Sequence, residues 1–327
     1  MRNFSYLRAN SSTEASQAAQ QAGALLLAGG TTLLDLAKCG VSEPETVIDI
    51  THLSGMSGIT VDTAGATIGA LARMSEVADH RDIRAAFPAV AESLSLAASA
   101  QLRNMATIGG NLLQRTRCSY FRDPGAFPAC NKRNPGSGCS AIGGVTRNHA
   151  VLGTSEACIA SYPGDLAVAL VAFDATVETD SRKIAVDDFF LVPGDTPNKE
   201  TILQRGEIIT AVTIPASAAA RNSAYIKVRD RQSYEFAAAS AAVGLALEAD
   251  GRTVCDIRVA LGGVATKPWR ARTVEQALVG KALTPEAVAK ASRLAMEGAV
   301  AYGGNRYKIE LAPRVIARAI LKMGGLA

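Results

Sequence analysis

The chain has 327 residues, 48% of them hydrophobic and 20% charged. That is enough apolar material for two domains or more, and it excludes disorder, collagen and coiled coil. The 34 basic and 30 acidic residues leave a net charge of +4, too mild to argue for nucleic acid, and with 5% of the chain aromatic a base-stacking role is weakened further.

No apolar run reaches the roughly 18 residues that a membrane span needs. The polar start of the chain lacks the basic-then-apolar order of a signal peptide. The pattern over residues 13–21 predicts a helix capped by Thr13. A strand is expected at 24–27, a glycine turn at Gly29-Gly30, a helix over 31–38 and a strand over 46–50. Alternation over 58–62 and 66–70 reads as a hairpin. Pro88 opens a helix running to residue 100. This spacing is that of an α/β fold.

Residues 114–158 differ. They hold Pro124, Pro128, Pro135 and many glycines, with little periodicity, and a long structureless stretch inside a compact domain is usually functional. Pro163-Gly164-Asp165 then opens an apolar helix to residue 173, with Asp165 placed to cap it. Strands follow near 176–178, 183–186 and 207–214, and 216–221 reads as a linker. Beyond it come three strands, 223–229, 238–248 and 254–262, then helices near 273–278, 285–299 and 313–323. Strands followed by helices indicate an α+β domain.

Three groups of residues carry chemistry. In Leu26-Leu27-Ala28-Gly29-Gly30-Thr31-Thr32-Leu33-Leu34 a strand runs through two glycines into a helix start. Without Cβ atoms, the backbone N–H groups there can approach a phosphate. The segment is neither G-x-G-x-x-G nor a Walker A loop, and an ordinary glycine turn remains the alternative. Thr107-Ile108-Gly109-Gly110-Asn111 repeats the theme, so the two pairs can line two sides of one diphosphate; two unrelated turns are the alternative. The third group is Cys118, Cys130, Cys139 and Cys158, spaced x11, x8 and x18. Four thiolates match zinc or an iron–sulfur cluster, and the C-x2-C knuckle of structural zinc is absent. Around them stand six basic residues, Arg115, Arg117, Arg122, Lys132, Arg133 and Arg147, against two acidic ones, Asp123 and Glu156. That excess suits the negative charge of a thiolate-bound cluster. Cys39, Cys255 and the three histidines His52, His80 and His149 stand apart and read as structural. No catalytic triad is visible, so no catalytic side chain is assigned; a redox cofactor brings its own chemistry.

Ala28-Gly29-Gly30-Thr31, Thr107-Ile108-Gly109-Gly110-Asn111 and Tyr162-Pro163-Gly164-Asp165-Leu166-Ala167 occur in that order. Together they resemble the FAD-binding subunits of the xanthine dehydrogenase family of molybdenum hydroxylases. Arg122-Asp123-Pro124-Gly125, Cys130-Asn131-Lys132-Arg133 and Pro135-Gly136-Ser137-Gly138-Cys139 narrow the resemblance to flavin subunits of the periplasmic aldehyde oxidoreductase type. The resemblance implies a two-lobed FAD domain of the vanillyl-alcohol-oxidase type over 1–217 (lobes 1–55 and 56–217, with a [4Fe-4S] insertion at 114–158). It further implies a domain of the carbon monoxide dehydrogenase flavoprotein type over 218–327. FAD is expected between the lobes, held by residues 26–34, Thr107, Gly109, Gly110, Asn111 and Asp165, with Ile209 and Lys227 toward the flavin. The four clustered cysteines are expected to hold the [4Fe-4S] cluster. Expected partners are a large molybdenum-cofactor subunit and a small [2Fe-2S] subunit in a heterotrimer, and an external electron acceptor. The expected role is electron transfer for aldehyde oxidation. The alternatives are the flavin subunit of an aromatic acyl-CoA reductase and a zinc-stabilised binding module. Localisation is expected to be cytoplasmic, or periplasmic by export with a partner that carries the signal.

Overall fold

A computed structural model describes residues 1–326. The first sheet is parallel, with β1 (Ser5–Arg8), β2 (Ala24–Leu27) and β3 (Thr46–Asp49) in the order β1-β3-β2. Ile48 stands opposite both Leu7 and Leu26 and is fully buried. Strand β1 is too short and too exposed to have shown a sequence pattern. The helix after it is Ser12–Ala19, and its cap is Ser11, not Thr13: the Ser11 hydroxyl accepts from the Glu14 amide at 3.1 Å. Ser11 has the extended backbone that a cap requires, whereas Thr13 is already helical. The helix after β2 is Leu33–Lys38 and starts two residues later than expected.

The second sheet is antiparallel and runs β4-β5-β8-β6-β7. Its strands are β4 (Ile59–Val61), β5 (Gly65–Gly69), β6 (Thr176–Thr179), β7 (Lys183–Ala185) and β8 (Ile209–Pro215). The β4–β5 turn closes on Asp62, whose carboxylate accepts from the amides of Ala64 and Gly65 at 2.8 and 3.2 Å. The helix opened by Pro88 stops at Ser95; Ala98 adopts φ 48°, and Ser99 caps a new short helix, Ala100–Arg103. The all-apolar helix Leu166–Ala172 lies at the centre, every residue buried.

The third sheet is antiparallel, in the order β12-β11-β10-β9. It comprises β9 (Ser223–Val228), β10 (Ala239–Leu247), β11 (Val254–Gly262) and the unforeseen β12 (Trp269–Arg270), too short to leave a pattern. The helices Arg272–Leu278, Pro285–Arg293 and Tyr307–Met323 cover one face. The last begins six residues before Pro313, which sits inside it; the proline leaves the Ile309 carbonyl without its N–H donor. Alternation assigns the two faces of the sheet. Tyr225, Ala242 and Ala260 join the core built by the first two sheets, while Ile226, Ala241, Val243, Val259 and Leu261 pack under the C-terminal helices.

The segment expected as a linker is instead a short helix, Ala218–Arg221, capped by the Ser217 hydroxyl. Its Ala219 and Ala220 are fully buried. Three alanines made it look like a spacer, but their small side chains let its backbone lie directly on β10. A Cβ on Gly244 would fall on the Ala219 carbonyl oxygen and 2.8 Å from Phe173 Cε1. Gly244→Ala is therefore expected to cost about 1–3 kcal/mol, read as a lower thermal midpoint. Gly58→Ala, with open space at its Cβ, should stay within about 0.5 kcal/mol of wild type. Equal midpoints for the two variants would contradict this close packing.

Candidate functional site

Two loops meet where the end of β2 approaches the segment after the helix Ala100–Arg103. At Gly29 an added Cβ would fall on the carbonyl oxygen of Met105, so only glycine allows the two backbones to meet. Gly30 has φ +72°, and the side chains of Leu27 and Leu34 pack beneath it. Gly109 abuts Ala70, with 3.1 Å from an added Cβ to the alanine methyl. A Cβ on Gly110 would meet only the capping hydroxyl of Thr107, so the rest of that position faces open space.

That space is a cleft of about 620 Å³. Leu26, Ala28, Gly29, Gly30, Thr31, Thr32 and Leu33 line one side, Thr107, Gly109 and Gly110 another, and Ile209 a third. A second chamber of about 390 Å³ shares Thr31, Thr32 and Gly110 with the first and extends to Asn111, Asp165, Tyr234 and Phe236. The two glycine loops therefore come together on one cleft. Leu27 and Leu34 line neither chamber and support the loop from behind. Sequence reading missed Arg205–Ile208, which close the first chamber from the segment leading into β8. They carry no motif and reach the cleft only through the sheet order. Asn111 is buried; its amide nitrogen lies 3.4 Å from Met74 Sδ, and its Oδ1 has no partner.

Asp165 does not cap the helix that follows it. It is 4% exposed, and its oxygens turn toward the third sheet. Oδ2 accepts from Lys227 Nζ at 2.7 Å, and Oδ1 accepts from the Tyr225 hydroxyl at 2.8 Å. The Tyr225 oxygen also lies 2.8 Å from Ser240 Oγ, and Lys227 donates to the Leu96 carbonyl at 3.1 Å. Burial pushes the Asp165 carboxyl up, while Lys227 and Tyr225 pull it back; burial also raises the Tyr225 phenol well above its ordinary value. Lys227 lines neither chamber, whereas Ile209 lines the first, so these two are not brought together.

Residues 114–158 are mostly irregular, with one short helix, Ser119–Arg122. All four of their cysteines are free thiols. Cys130 and Cys139 face each other across an antiparallel bridge. Cys118 packs in the clusters that contain Cys130 on one side and Cys139 on the other. Burial pushes the Cys118 thiol up to about 12, the amides of Phe121 and Tyr120 pull it down, and Cys158 and Cys130 add to the rise. Burial likewise raises Cys158, Lys132 opposes this, and Cys139 and Cys130 reinforce it. Cys130 and Cys139 are thus bridged, with Cys118 packed beside both. Among the described residues no group of three or more His, Cys, Asp or Glu side chains is arranged to hold a metal ion.

The basic residues of the segment are not a free excess of charge. Arg117 and Arg122 pair with Asp35 at 3.0 and 2.6 Å. Lys132 pairs with Glu200 at 2.8 Å, alongside Arg115, and Arg147 with Asp230 at 2.9 Å. Arg133 donates to the carbonyls of Tyr120 and Phe121 at 2.6 Å each, and to that of Phe127. Cys39 does not stand apart either: the Arg122 guanidinium lies 3.7 Å from its sulfur. Cys255 is exposed on β11. His149, read as an isolated residue, lies with Nε2 3.2 Å from Cys118 Sγ. Thirty-one positions separate them, so no sequence spacing announced the contact.

Comparison with known proteins defines the class. Residues 2–217 match the family described as "FAD binding domain in molybdopterin dehydrogenase", and 223–323 match the "CO dehydrogenase flavoprotein C-terminal domain". The chain is 47% identical over 285 residues to the aldehyde oxidoreductase FAD-binding subunit PaoB of Escherichia coli, covering 85% of this chain and 86% of that one. It is 28% identical to the glyceraldehyde dehydrogenase medium chain of Sulfolobus acidocaldarius, over 87% and 84% of the two chains. The structure superposes on a chain of carbon monoxide dehydrogenase from Hydrogenophaga pseudoflava with a TM-score of 0.76, at 26% identity, covering 100% and 99%. The chain belongs to the FAD-binding subunits of the molybdenum hydroxylase family. It is an oxidoreductase subunit, and none of its helices among the described residues is long and apolar enough to cross a membrane.

Removing one partner of a buried ion pair leaves the other charge uncompensated, at about 3–5 kcal/mol. Asp165→Ala is accordingly expected to destabilise the apo protein by that amount. The double variant Asp165→Leu, Lys227→Met should recover most of the loss. Denaturant unfolding of the three proteins checks this. A single variant as stable as wild type would refute the structural role of the pair.

Proposed function

We propose that the chain is the FAD-binding, [4Fe-4S]-containing electron-transfer subunit of a heterotrimeric molybdenum enzyme that oxidises aldehydes to carboxylic acids. In this reading residues 1–217 form the FAD domain and 218–327 the C-terminal domain. The observation that carries it is the two-chambered cleft joined at Thr31, Thr32 and Gly110. Its elongated form suits an extended dinucleotide. The residues fit the cofactor in two respects: glycine backbones border the junction, and the buried Asn111 Oδ1 lacks a donor that a ligand can supply. The diphosphate is assigned to the Gly29-Gly30 and Gly109-Gly110 backbones and the Thr31, Thr32 and Thr107 hydroxyls. Leu26, Ala28, Leu33 and Ile209 supply apolar wall, while Leu27 and Leu34 hold the loop from beneath. Asp165 and Asn111 border the second chamber, and Lys227 keeps Asp165 in place. FAD supplies acceptance of electrons from an iron–sulfur partner and their release to an external acceptor.

For the cluster, the donor set is four free thiols on an irregular loop. A cube of four irons takes one thiolate per iron, and the segment carries four free thiols. The ion pairs to Asp35, Glu200 and Asp230 tether the loop to three separate elements. The cluster is assigned to Cys118, Cys130, Cys139 and Cys158. The likeness to the Escherichia coli subunit supports aldehydes as the substrate class and large and small subunits as partners. The location in this reading is the periplasm, reached with an exported partner, or the cytoplasm.

Two measurements test this reading. Gly110→Val puts a branched side chain at the chamber junction, and flavin content is expected to fall at least tenfold while the fold persists. It is the cleaner variant, because Gly30→Val is also strained by φ +72°. Flavin at the wild-type level in Gly110→Val would refute the placement. Separately, serine at each of the four clustered cysteines should remove iron and loosen residues 114–158, since ligand loss becomes a folding defect. Cys255→Ser should keep its iron. Anaerobic iron and sulfide quantitation decides, and zinc in place of iron would overturn the cluster assignment.

A further inference from the structure

We propose that His149 is a positioning residue that directs an Nε2–H hydrogen bond at the sulfur of Cys118 and thereby raises the reduction potential of the cluster. The inference rests on the [4Fe-4S] assignment above. His149 is 5% exposed, and its ring lies beside Tyr120 with centroids 6.0 Å apart. Its own amide donates to the Thr146 carbonyl at 2.8 Å. Nε2 stands 3.2 Å from Cys118 Sγ, inside hydrogen-bond range for sulfur, while the buried Nδ1 has no partner at all.

These two observations select the arrangement. A sulfur bound to iron carries no proton, so between it and Nε2 only the ring can donate. With the proton on Nδ1, Nε2 would aim a lone pair at the thiolate and a buried N–H would be left without an acceptor. Stranding a buried donor costs about 1–3 kcal/mol. With the proton on Nε2, the donor is satisfied and only a lone pair is stranded. When one electron enters a cluster the added charge spreads over its sulfurs, and an N–H aimed at one of them stabilises the reduced form. Hydrogen bonds to sulfur are an established lever on such potentials. The proton stays on nitrogen, and no bond forms or breaks.

The test uses the complex purified anaerobically with its partner subunits, followed through iron content, flavin content and a redox titration of the cluster by electron paramagnetic resonance. In His149→Phe, a ring of similar bulk without a donor, the reduced-to-oxidised ratio at the wild-type midpoint is expected to fall roughly tenfold, about 59 mV for one electron. In His149→Gln, whose amide restores an N–H near the Nε2 position, the midpoint should return to near the wild-type value, and flavin content should be unchanged in both. An unshifted midpoint in His149→Phe with iron retained overturns the inference alone. If His149→Phe loses its iron, His149→Gln decides. Iron retained at the wild-type midpoint supports the donor, and a shifted midpoint or lost iron refutes it. A wild-type complex without iron fails at the cluster assignment itself and takes this inference with it.

Discussion

The carboxylate of Asp165 is the constraint on which the arrangement of the molecule turns. A buried charge is tolerated only when it is paired and hydrogen-bonded. Asp165 meets both conditions with residues from another sheet: Lys227 and Tyr225 on β9, backed by Ser240 on β10. Lys227 in turn reaches back to the Leu96 carbonyl, as does Arg229. The loop after the helix Pro88–Ser95, the start of the helix Leu166–Ala172 and the edge of the C-terminal sheet are therefore held by one polar node. Apolar packing could bring these surfaces together in several registers. The ion pair admits one, and in that register Asp165 borders the second chamber.

Around this node the cleft is shaped chiefly by what is missing. Gly29 lets its loop touch the Met105 carbonyl, Gly109 lets a helix start press on Ala70, and Gly110 leaves the junction open. Each absent side chain has a different neighbour, so the three glycines are not interchangeable. The hydroxyls of Thr31 and Thr32 stand at the same junction, between a more apolar first chamber and a second one that Asp35, Arg117 and Glu235 also line.

The cysteine-bearing segment is fixed by charge where its composition provides little apolar core. Asp35 lies after β2, Glu200 before β8 and Asp230 after β9, and each receives basic residues from the segment. The basic excess visible in the sequence thus has a mechanical use. It ties an irregular loop to three otherwise separate parts of the chain. Lys132 serves both ends of this arrangement, pairing with Glu200 while opposing the upward shift of the Cys158 thiol.

Much of this was legible in residue order because the determining interactions are local. Strand β2 and the glycine pair after it, the β4–β5 hairpin and the alternating strands of the C-terminal domain follow from periodicity and turn chemistry, and each was read close to its true bounds. Elements whose existence depends on distant partners were not legible. Strands β1 and β12 are too short to carry a pattern and exist because a neighbouring strand pairs with them. The helix Ala218–Arg221 passed for a linker because alanine says nothing of burial until Gly244 is laid against it. The clustering of four cysteines was apparent from the chain alone, but the contact between His149 and Cys118 and the turning of Asp165 from helix cap to ion pair were not. Sequence alone determined that two glycine loops leave backbone amides open to a phosphate and that four cysteines fall within one irregular segment. Tertiary structure decided which of them meet, because a hydrogen bond or an ion pair depends on a few ångströms of separation in space, and spacing along the chain sets no such distance.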